Sequence, residues 1–126
     1  MELLDTRKHI KICVAGSRDW LDRKYIFNIL DASRNYFDIS IVSGCARGAD
    51  TIGIQYAEEN SLELYKFPAD WNKYGKRAGY LRNIEMAEFS DIVLVFWNGK
   101  SNGSKHMIDL CKKLKKEIRV YEKCIW

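Results

Sequence analysis

The chain has 126 residues, of which 47% are hydrophobic and 30% charged, and its formal net charge is +4 at pH 7. This length suits one domain, and the composition excludes a disordered or fibrous protein. No apolar run approaches the roughly 18–20 residues that cross a membrane, and the N-terminal sequence lacks the apolar region of a signal peptide. We therefore expect one domain over residues 1–126 in the cytoplasm.

Short apolar runs alternate with helical patterns along the first half of the chain. Residues 10–15, 39–43 and 62–67 are rich in residues that favour strands, and the first two runs are each followed by glycine. Apolar residues at helical spacing predict helices over 23–34 and 49–59. This order of elements is typical of βαβ units.

The second half begins with a polar, aromatic stretch, ADWNKYGKRAGY, that has no regular spacing and stays unassigned until a helix over 81–87. Residues 91–96 form the most hydrophobic run and predict a central strand. A fourth helix over 105–116 and a strand over 118–121 complete the series. The alternation predicts a three-layer, Rossmann-like α/β fold with a mainly parallel five-stranded sheet in the order 3-2-1-4-5.

Glycine-bearing polar loops follow the first, second and fourth predicted strands: GSRDW, SGCARGAD and WNGKSNGSK. In a sheet of this order, ligands bind where the strand order reverses, between strands one and four. Glycine allows a ligand to approach the backbone, and the helix after each loop offers unpaired N–H groups to an anion. Each glycine alone could simply make a turn, but three such loops at one edge favour an anion site.

Several common sites are missing from the sequence. There is no GxGxxG or GxxxxGK[ST] motif, which argues against an ordinary dinucleotide dehydrogenase or a Walker-type NTPase. The four cysteines are far apart and lack metal-ligand spacing, so we expect free thiols, no metal and no cofactor. Cys45 is the one cysteine in a glycine loop, and neither histidine is placed by the sequence as its base.

Four runs, GSRDW, VSGCARGAD, FPADWNKYGKRAGYLRN and NGKSNGSKHMI, occur in this order between about Ile10 and Ile118. Together they resemble the YspA-like branch of the SLOG superfamily, which also contains the DprA and LOG proteins. The resemblance implies a Rossmann-like fold that binds a nucleotide-derived ligand, such as a cyclic nucleotide or an ADP-ribose-type signal.

The resemblance also implies site residues. Arg82 and Asn83 match the family's Arg-Asn pair, and Gly103 with Ser104 matches its Gly-Thr phosphate turn. Arginine forks suit phosphate, while Asp50 could bind a ribose hydroxyl or cap its helix. The residues expected to bind ligand or phosphate, from the loops and the resemblance together, are Gly16, Ser17, Arg18, Gly44, Arg47, Gly48, Asp50, Arg82, Asn83, Asn98, Gly103, Ser104 and Lys105.

The chain departs from the LOG enzymes directly after this turn. Those enzymes carry glutamates there and cleave N-glycosidic bonds, whereas here Lys105, His106 and Met107 follow. No carboxylate remains there to stabilise an oxocarbenium-like transition state. We therefore expect a binding protein and leave catalysis open, the alternative being a nucleotide hydrolase or phosphoribohydrolase that uses Asp50, His106 or Asp109.

Four aromatic residues lie in or beside the loops: Trp20, Trp71, Tyr74 and Trp97. They could stack on a base, and for Trp71 and Trp97 the alternative is packing over the sheet edge or in a subunit interface.

Much of the positive charge falls on the fourth helix, in residues 112–116, and is interpreted as a solvated face. Nucleic acid is therefore disfavoured as a partner, and DprA-like nucleic-acid binding is kept as a further alternative. Apolar residues between elements and at the C-terminus, together with the resemblance, predict a homo-oligomer; they are Tyr36, Phe37, Ile125 and Trp126.

Overall fold

The computed structural model describes residues 7–123. Its centre is one sheet of five strands: β1 (His9–Gly16), β2 (Asp38–Ser43), β3 (Leu64–Lys66), β4 (Ile92–Trp97) and β5 (Ile118–Glu122). The strand order is β3-β2-β1-β4-β5, and each neighbouring pair is parallel. The predicted fold and strand order are confirmed.

Helices cover both faces of this sheet, because alternate side chains of each strand point to opposite faces. Helices α1 (Arg23–Arg34) and α2 (Ala49–Glu59) pack on the face that carries Ile12 and Val14. On the other face lies the short helix α3 (Trp71–Tyr74), followed by a 3₁₀ turn (Gly75–Arg77) and the longer helices α4 (Ala78–Phe89) and α5 (Asn102–Leu114). Buried side chains of α4 and α5 contact Cys13 and Ala15 of β1.

Strand β3 is shorter than the predicted 62–67. It is an edge strand whose register with β2 covers Leu64–Lys66, flanked by hydrogen bonds of Glu63 and Phe67 to β2. The backbone N–H of Leu62 instead donates to the carbonyl of Ala57, 2.9 Å away, at the end of α2. That hydrogen bond holds the start of the predicted strand against the helix.

The residues after Pro68 form more regular secondary structure than their composition indicates. The side chain of Asp70 accepts a hydrogen bond from the backbone N–H of Lys73 at 3.0 Å and so caps α3. After the 3₁₀ turn, α4 begins at Ala78, three residues before the helix that the spacing predicts. The cap is not recognisable from the sequence, because Asp70 precedes aromatic and basic residues rather than an amphipathic run.

Helix α5 also begins earlier than predicted, at Asn102 rather than Lys105. The hydroxyl of Ser101 accepts a hydrogen bond from the backbone N–H of Ser104 at 3.4 Å and caps the helix. Gly103 and Ser104 therefore lie inside the first helical turn instead of in a loop before it. At the other end, Lys115 adopts a left-handed conformation with φ of 56° and ends the helix.

Candidate functional site

The three glycine-bearing loops meet at the carboxyl ends of β1, β2 and β4, and Ser17 joins them. Its backbone N–H donates to the carbonyl of Phe96 at 2.9 Å, and its hydroxyl accepts from the backbone N–H of Asn98 at 2.9 Å. Its carbonyl accepts from the N–H of Ala49 at 3.3 Å. Ser17 is fully buried, so it organises the loops and leaves no surface for a ligand.

Two glycines of these loops are required by the protein's own packing. A Cβ on Gly16 would lie 2.2 Å from the carbonyl oxygen of Phe96, and one on Gly48 would lie 2.2 Å from that of Ser17. Gly48 also has a φ of +75°, which L side chains rarely adopt. By contrast, a Cβ on Gly103 would meet nothing within 4 Å, and Gly103 is not among the residues with positive φ.

The carboxylate of Asp50 and the guanidinium of Arg82 lie next to these loops. Asp50, in the first turn of α2, accepts a hydrogen bond from the backbone N–H of Ala46 at 3.3 Å and is 4% exposed. Arg82 reaches over from α4 and donates to the carbonyl of Gly44. Burial raises the pKa of Asp50 to about 6, although Arg82 and the backbone N–H groups of Ala46 and Gly16 act in the opposite direction. Asp50 thus links the loops after β1 and β2.

Asn83 connects α4 to the first turn of α5. Its amide nitrogen donates to the carbonyl of Gly103 at 3.3 Å and lies 3.2 Å from Nδ1 of His106. Because an amide nitrogen is a donor, Nδ1 must be the acceptor, and the proton of the neutral ring then lies on Nε2. Burial lowers the pKa of His106, which favours this neutral form.

An inner cavity of about 300 Å³ lies between the ends of β1 and β4, at the predicted switch point. Arg18 and Arg82 are part of its wall. The predicted ligand-binding residues that line this cavity are Gly16, Arg18, Asp50, Arg82, Asn83, Gly103 and Ser104.

The other predicted ligand residues lie outside this inner cavity. Gly44 and Arg47 line an adjoining lobe. Asn98 holds its own loop, since its Oδ1 accepts from the backbone N–H groups of Lys100 and Ser101, each at 2.8 Å. Lys105 is exposed and pairs with Asp109 at 2.9 Å, a contact that lowers the pKa of Asp109. Gly48 and Ser17 stabilise the loop conformation, since Ser17 is fully buried and its carbonyl leaves no space for a side chain at Gly48.

The four aromatic candidates differ in exposure. Trp20 is 1% exposed and belongs to the core between the sheet and α1, so the prediction that it could stack on a ligand is wrong. Trp97 is partly buried against the other face, and its ring N–H donates to the carbonyl of Ser101 at 3.1 Å. Trp71 and Tyr74 are 49% and 43% exposed. Only Trp71 lines a lobe next to the inner cavity.

Several lining residues were not predicted from the sequence. Met86 and Met107, both nearly fully buried, form an apolar part of the inner cavity. Ser101 was missed because its role as a cap depends on where α5 begins. Lys76 and Tyr80 line an outer lobe and lie in the stretch that the sequence left unassigned.

Within residues 7–123, no group of three or more His, Cys, Asp or Glu side chains is arranged to hold a metal ion. The same part of the chain contains no helix with the length and apolar character of a membrane span. Cys13 and Cys111 are buried core residues whose thiol pKa values are raised by burial. Cys45 is partly buried at a φ of 67° and lines the lobe beside Arg47, whereas Cys124 lies outside the described residues.

Comparison of the fold identifies two similar solved structures. DNA processing protein A from Streptococcus pneumoniae matches with a TM-score of 0.73 at 19% identity, over 89% of this chain and 50% of that one. DNA processing protein A from Helicobacter pylori, described for its single-stranded DNA binding mode, matches with a TM-score of 0.66 at 20% identity, over 88% of this chain and 64% of that one. The chain thus spans half to just under two thirds of these structures, and the likeness shows the fold.

Sequence comparison shows closer relationships. Gene 61 protein of Mycobacterium phage D29 is 36% identical over 113 residues, which cover 82% of this chain and 89% of the relative. Residues 10–74 match the model of the YspA, cpYpsA-related SLOG family, abbreviated YAcAr. The matched region contains β1, β2, β3 and the two glycine loops that Ser17 and Asp50 join. The chain therefore belongs to the YspA, cpYpsA-related SLOG family.

Proposed function

We propose that the protein binds a nucleotide-derived ligand, such as a cyclic nucleotide or an ADP-ribose-type signal, in the inner cavity. One observation carries the proposal: Arg18, Arg82 and the first turn of α5 line the same cavity at the switch point of the sheet. Guanidinium groups and free helical N–H groups both favour phosphate. The volume of about 300 Å³ is at the lower end of the roughly 300–1,000 Å³ of small-molecule sites.

The roles of the lining residues follow from their chemistry. Arg18 and Arg82 would pair with the phosphate, and the backbone N–H of Gly103, in the first turn of α5, would contribute the positive end of the α5 dipole. Asp50 is the one acidic residue of the lining, and its carboxylate would accept a hydrogen bond from a ribose hydroxyl. The side-chain amide of Asn83 would hold Gly103 in place by donating a hydrogen bond to the Gly103 carbonyl.

The experiment is calorimetric titration of nucleotides and ADP-ribose into the wild-type protein and Arg82→Ala. We expect the variant to lose about 1.5–3 kcal/mol of binding free energy, the scale of a hydrogen bond to a charged group. Lys113→Ala is the matched control, because Lys113 is an exposed cation on α5 that lines none of the described cavities. Equal affinity of Arg82→Ala and wild type for every ligand that binds would contradict this site.

One feature favours the alternative that the protein hydrolyses a nucleotide: the raised pKa of Asp50 inside the cavity. An acid with a pKa of about 6 is suited to proton transfer near neutral pH. His106 is bonded to Asn83 and does not line the inner cavity. Incubation with the same nucleotides followed by analysis of the small molecules distinguishes the two functions, since a binding protein returns them intact and a phosphoribohydrolase releases the free base.

We further propose that residues 1–126 act as one SLOG-type domain, as a homo-oligomer in the cytoplasm of a bacterium or of a phage-infected cell. The relative from a mycobacterial phage agrees with the latter setting. Such a domain would act by sequestering its ligand or by delivering it to a partner.

A further inference from the structure

A surface groove of about 420 Å³ lies outside the nucleotide cavities, beside the loop after β2. It is lined from the segment that follows β1 and from the first two turns of α2. The lining includes Trp20 and Ile52, which are 1% and 7% exposed, and Leu21, which is 85% exposed. Leu21 is the most exposed large apolar residue within residues 7–123. We call this surface the Leu21 groove.

The Leu21 groove carries positive charge. Its lining contains Arg23 and Arg47 and, among the residues that the structure describes, no Asp or Glu. Arg23 pairs with Glu59, whereas Arg47 is exposed and takes part in no ion pair within residues 7–123. An exposed leucine beside an unpaired guanidinium complements a segment in which a carboxylate lies near an apolar side chain.

A second copy of the chain complements this groove less well. A two-fold contact places the same patch of both copies face to face. Arg23 and Arg47 would then oppose the same cations of the second copy, and like charges across an interface weaken binding. Tyr36 and Phe37, which motivate the predicted oligomer, follow α1, whereas Leu21 precedes it. An acidic and apolar segment of a different protein therefore fits the groove better.

The loop after β2 separates the Leu21 groove from the nucleotide site and contacts both. Arg47 lines the groove and also the lobe beside the inner cavity. Ala46 and Arg82 line both that lobe and the inner cavity. The backbone N–H of Ala46 donates to Asp50 at 3.3 Å, and its carbonyl accepts from the hydroxyl of Thr51, a groove residue, at 2.7 Å. The two sites thus share one loop and one cation.

We propose that the Leu21 groove docks a segment of a partner protein in which Asp or Glu lies near a large apolar residue, and that the nucleotide-derived ligand displaces this segment. Leu21 buries the apolar side chain, and Arg47 pairs with the carboxylate. A ligand phosphate in the lobe competes for the same guanidinium, so ligand and partner weaken each other's binding by the same factor. The docking surface depends on its own residues, while the displacement rests on the proposed function.

The test selects phage-displayed random peptides on the wild-type protein and measures the binding of the enriched peptides, fluorescently labelled, by anisotropy. We expect the enriched sequences to carry Asp or Glu close to large apolar residues. Leu21→Asp should lower their affinity about 10-fold or more, because it places an unpaired carboxylate in the contact. Arg47→Ala should lower it about 5-fold or more, through loss of a charge-assisted hydrogen bond.

Two variants of α5 are matched controls, and circular dichroism verifies the fold of every variant. Leu114→Asp adds the same charge at a leucine that is 44% exposed, and Lys113→Ala removes an exposed cation. Neither residue lines the groove or the lobe, so both variants should bind the peptides like wild type. Leu21→Asp should keep the wild-type affinity for ADP-ribose, since Leu21 lines neither the inner cavity nor the lobes.

The displacement is measured by repeating the peptide titrations with saturating ADP-ribose. We expect the ligand to weaken peptide binding to wild type about 5-fold or more, and to have a smaller effect on Arg47→Ala, which lacks the shared cation.

The outcomes separate the two proposals. Failure to enrich any peptide, peptides without the acidic and apolar pattern, or equal binding to wild type and Leu21→Asp would each overturn the docking surface. Conversion of an oligomer to single chains by Leu21→Asp in light scattering would overturn it too, because a second copy would then cover the groove. If ADP-ribose binds without weakening the peptides, the displacement is wrong while the nucleotide site stands. If no nucleotide binds, the proposed function and the displacement fall together, and the variants alone decide the docking surface.

Discussion

Gly48 and Gly103 were both predicted as ligand-binding glycines, but a side chain would meet very different surroundings at each. Gly48→Ala would place a Cβ 2.2 Å from the carbonyl oxygen of Ser17 at a φ of +75°. We expect a loss of about 1–3 kcal/mol in the free energy of unfolding, the cost of a strained backbone conformation. Gly103→Ala has open space at a helical position and should gain up to about 1 kcal/mol. Urea unfolding followed by circular dichroism measures both, and equal stabilities would contradict the assignment.

Asp50 should make the stability of the protein depend on pH. Its pKa in the folded state is raised from 3.8 to about 6, so the folded protein binds a proton there that the unfolded chain has released. The stability that this proton contributes is present at low pH and is lost as the pH rises through about 4 to 6.

The variant Asp50→Asn cannot ionise and should lack this dependence. We expect the free energy of unfolding of wild type minus that of Asp50→Asn to fall by on the order of 1–3 kcal/mol between about pH 4 and pH 7. Denaturant titrations at a series of pH values measure the difference. A difference that is constant across the series would show that Asp50 has an ordinary pKa.

At the scale of the element, the first turn of α5 provides both stability and the proposed phosphate contacts. Ser101→Ala removes the cap and should cost about 0.5–2 kcal/mol of stability. It should also weaken nucleotide binding, because the uncapped turn presents its N–H groups less regularly to the cavity.

The matched control is Asp22→Ala, which removes the cap of α1. The Asp22 side chain accepts from the backbone N–H of Tyr25 at 3.1 Å, and its further contact with Lys123 lies partly exposed. We expect a similar loss of stability with unchanged nucleotide affinity, since Asp22 lines neither the inner cavity nor the two lobes beside it. Loss of affinity in both variants would mean that binding follows general stability rather than the α5 turn.

At the scale of the whole molecule, homo-oligomerisation remains a prediction. Leu21 and Tyr36 are 85% and 74% exposed, and Phe37 beside Tyr36 in sequence is 36% exposed. Ile125 and Trp126, which also motivated the prediction, lie outside the described residues. Burial of such side chains against a second copy would remove apolar surface from water. Light scattering at micromolar concentration should give at least twice 14.8 kDa, and a mass of one chain would refute the prediction.

The sequence by itself determined the order of strands and helices and the parallel sheet, and it predicted the edge at which a ligand would bind. These features follow from local periodicity and from the handedness and connection rules of βαβ units, which act over neighbouring elements. The position of the switch point between β1 and β4 then requires no knowledge of side-chain packing. The misplaced boundaries at β3 and α5 each depend on a single hydrogen bond: the backbone N–H of Leu62 donates to Ala57, and the hydroxyl of Ser101 accepts from Ser104.

Only the tertiary structure decided which predicted residues share a cavity. Trp20 and Trp71 are the same residue type near similar loops, yet one is 1% and the other 49% exposed. Arg82 reaches Gly44, 38 positions away in the chain, because α4 packs beside the end of β2. The raised pKa of Asp50 likewise arises from burial by segments distant in sequence. Exposure, charge pairing and proton affinity depend on the atoms that folding brings close, and local spacing carries no information about them.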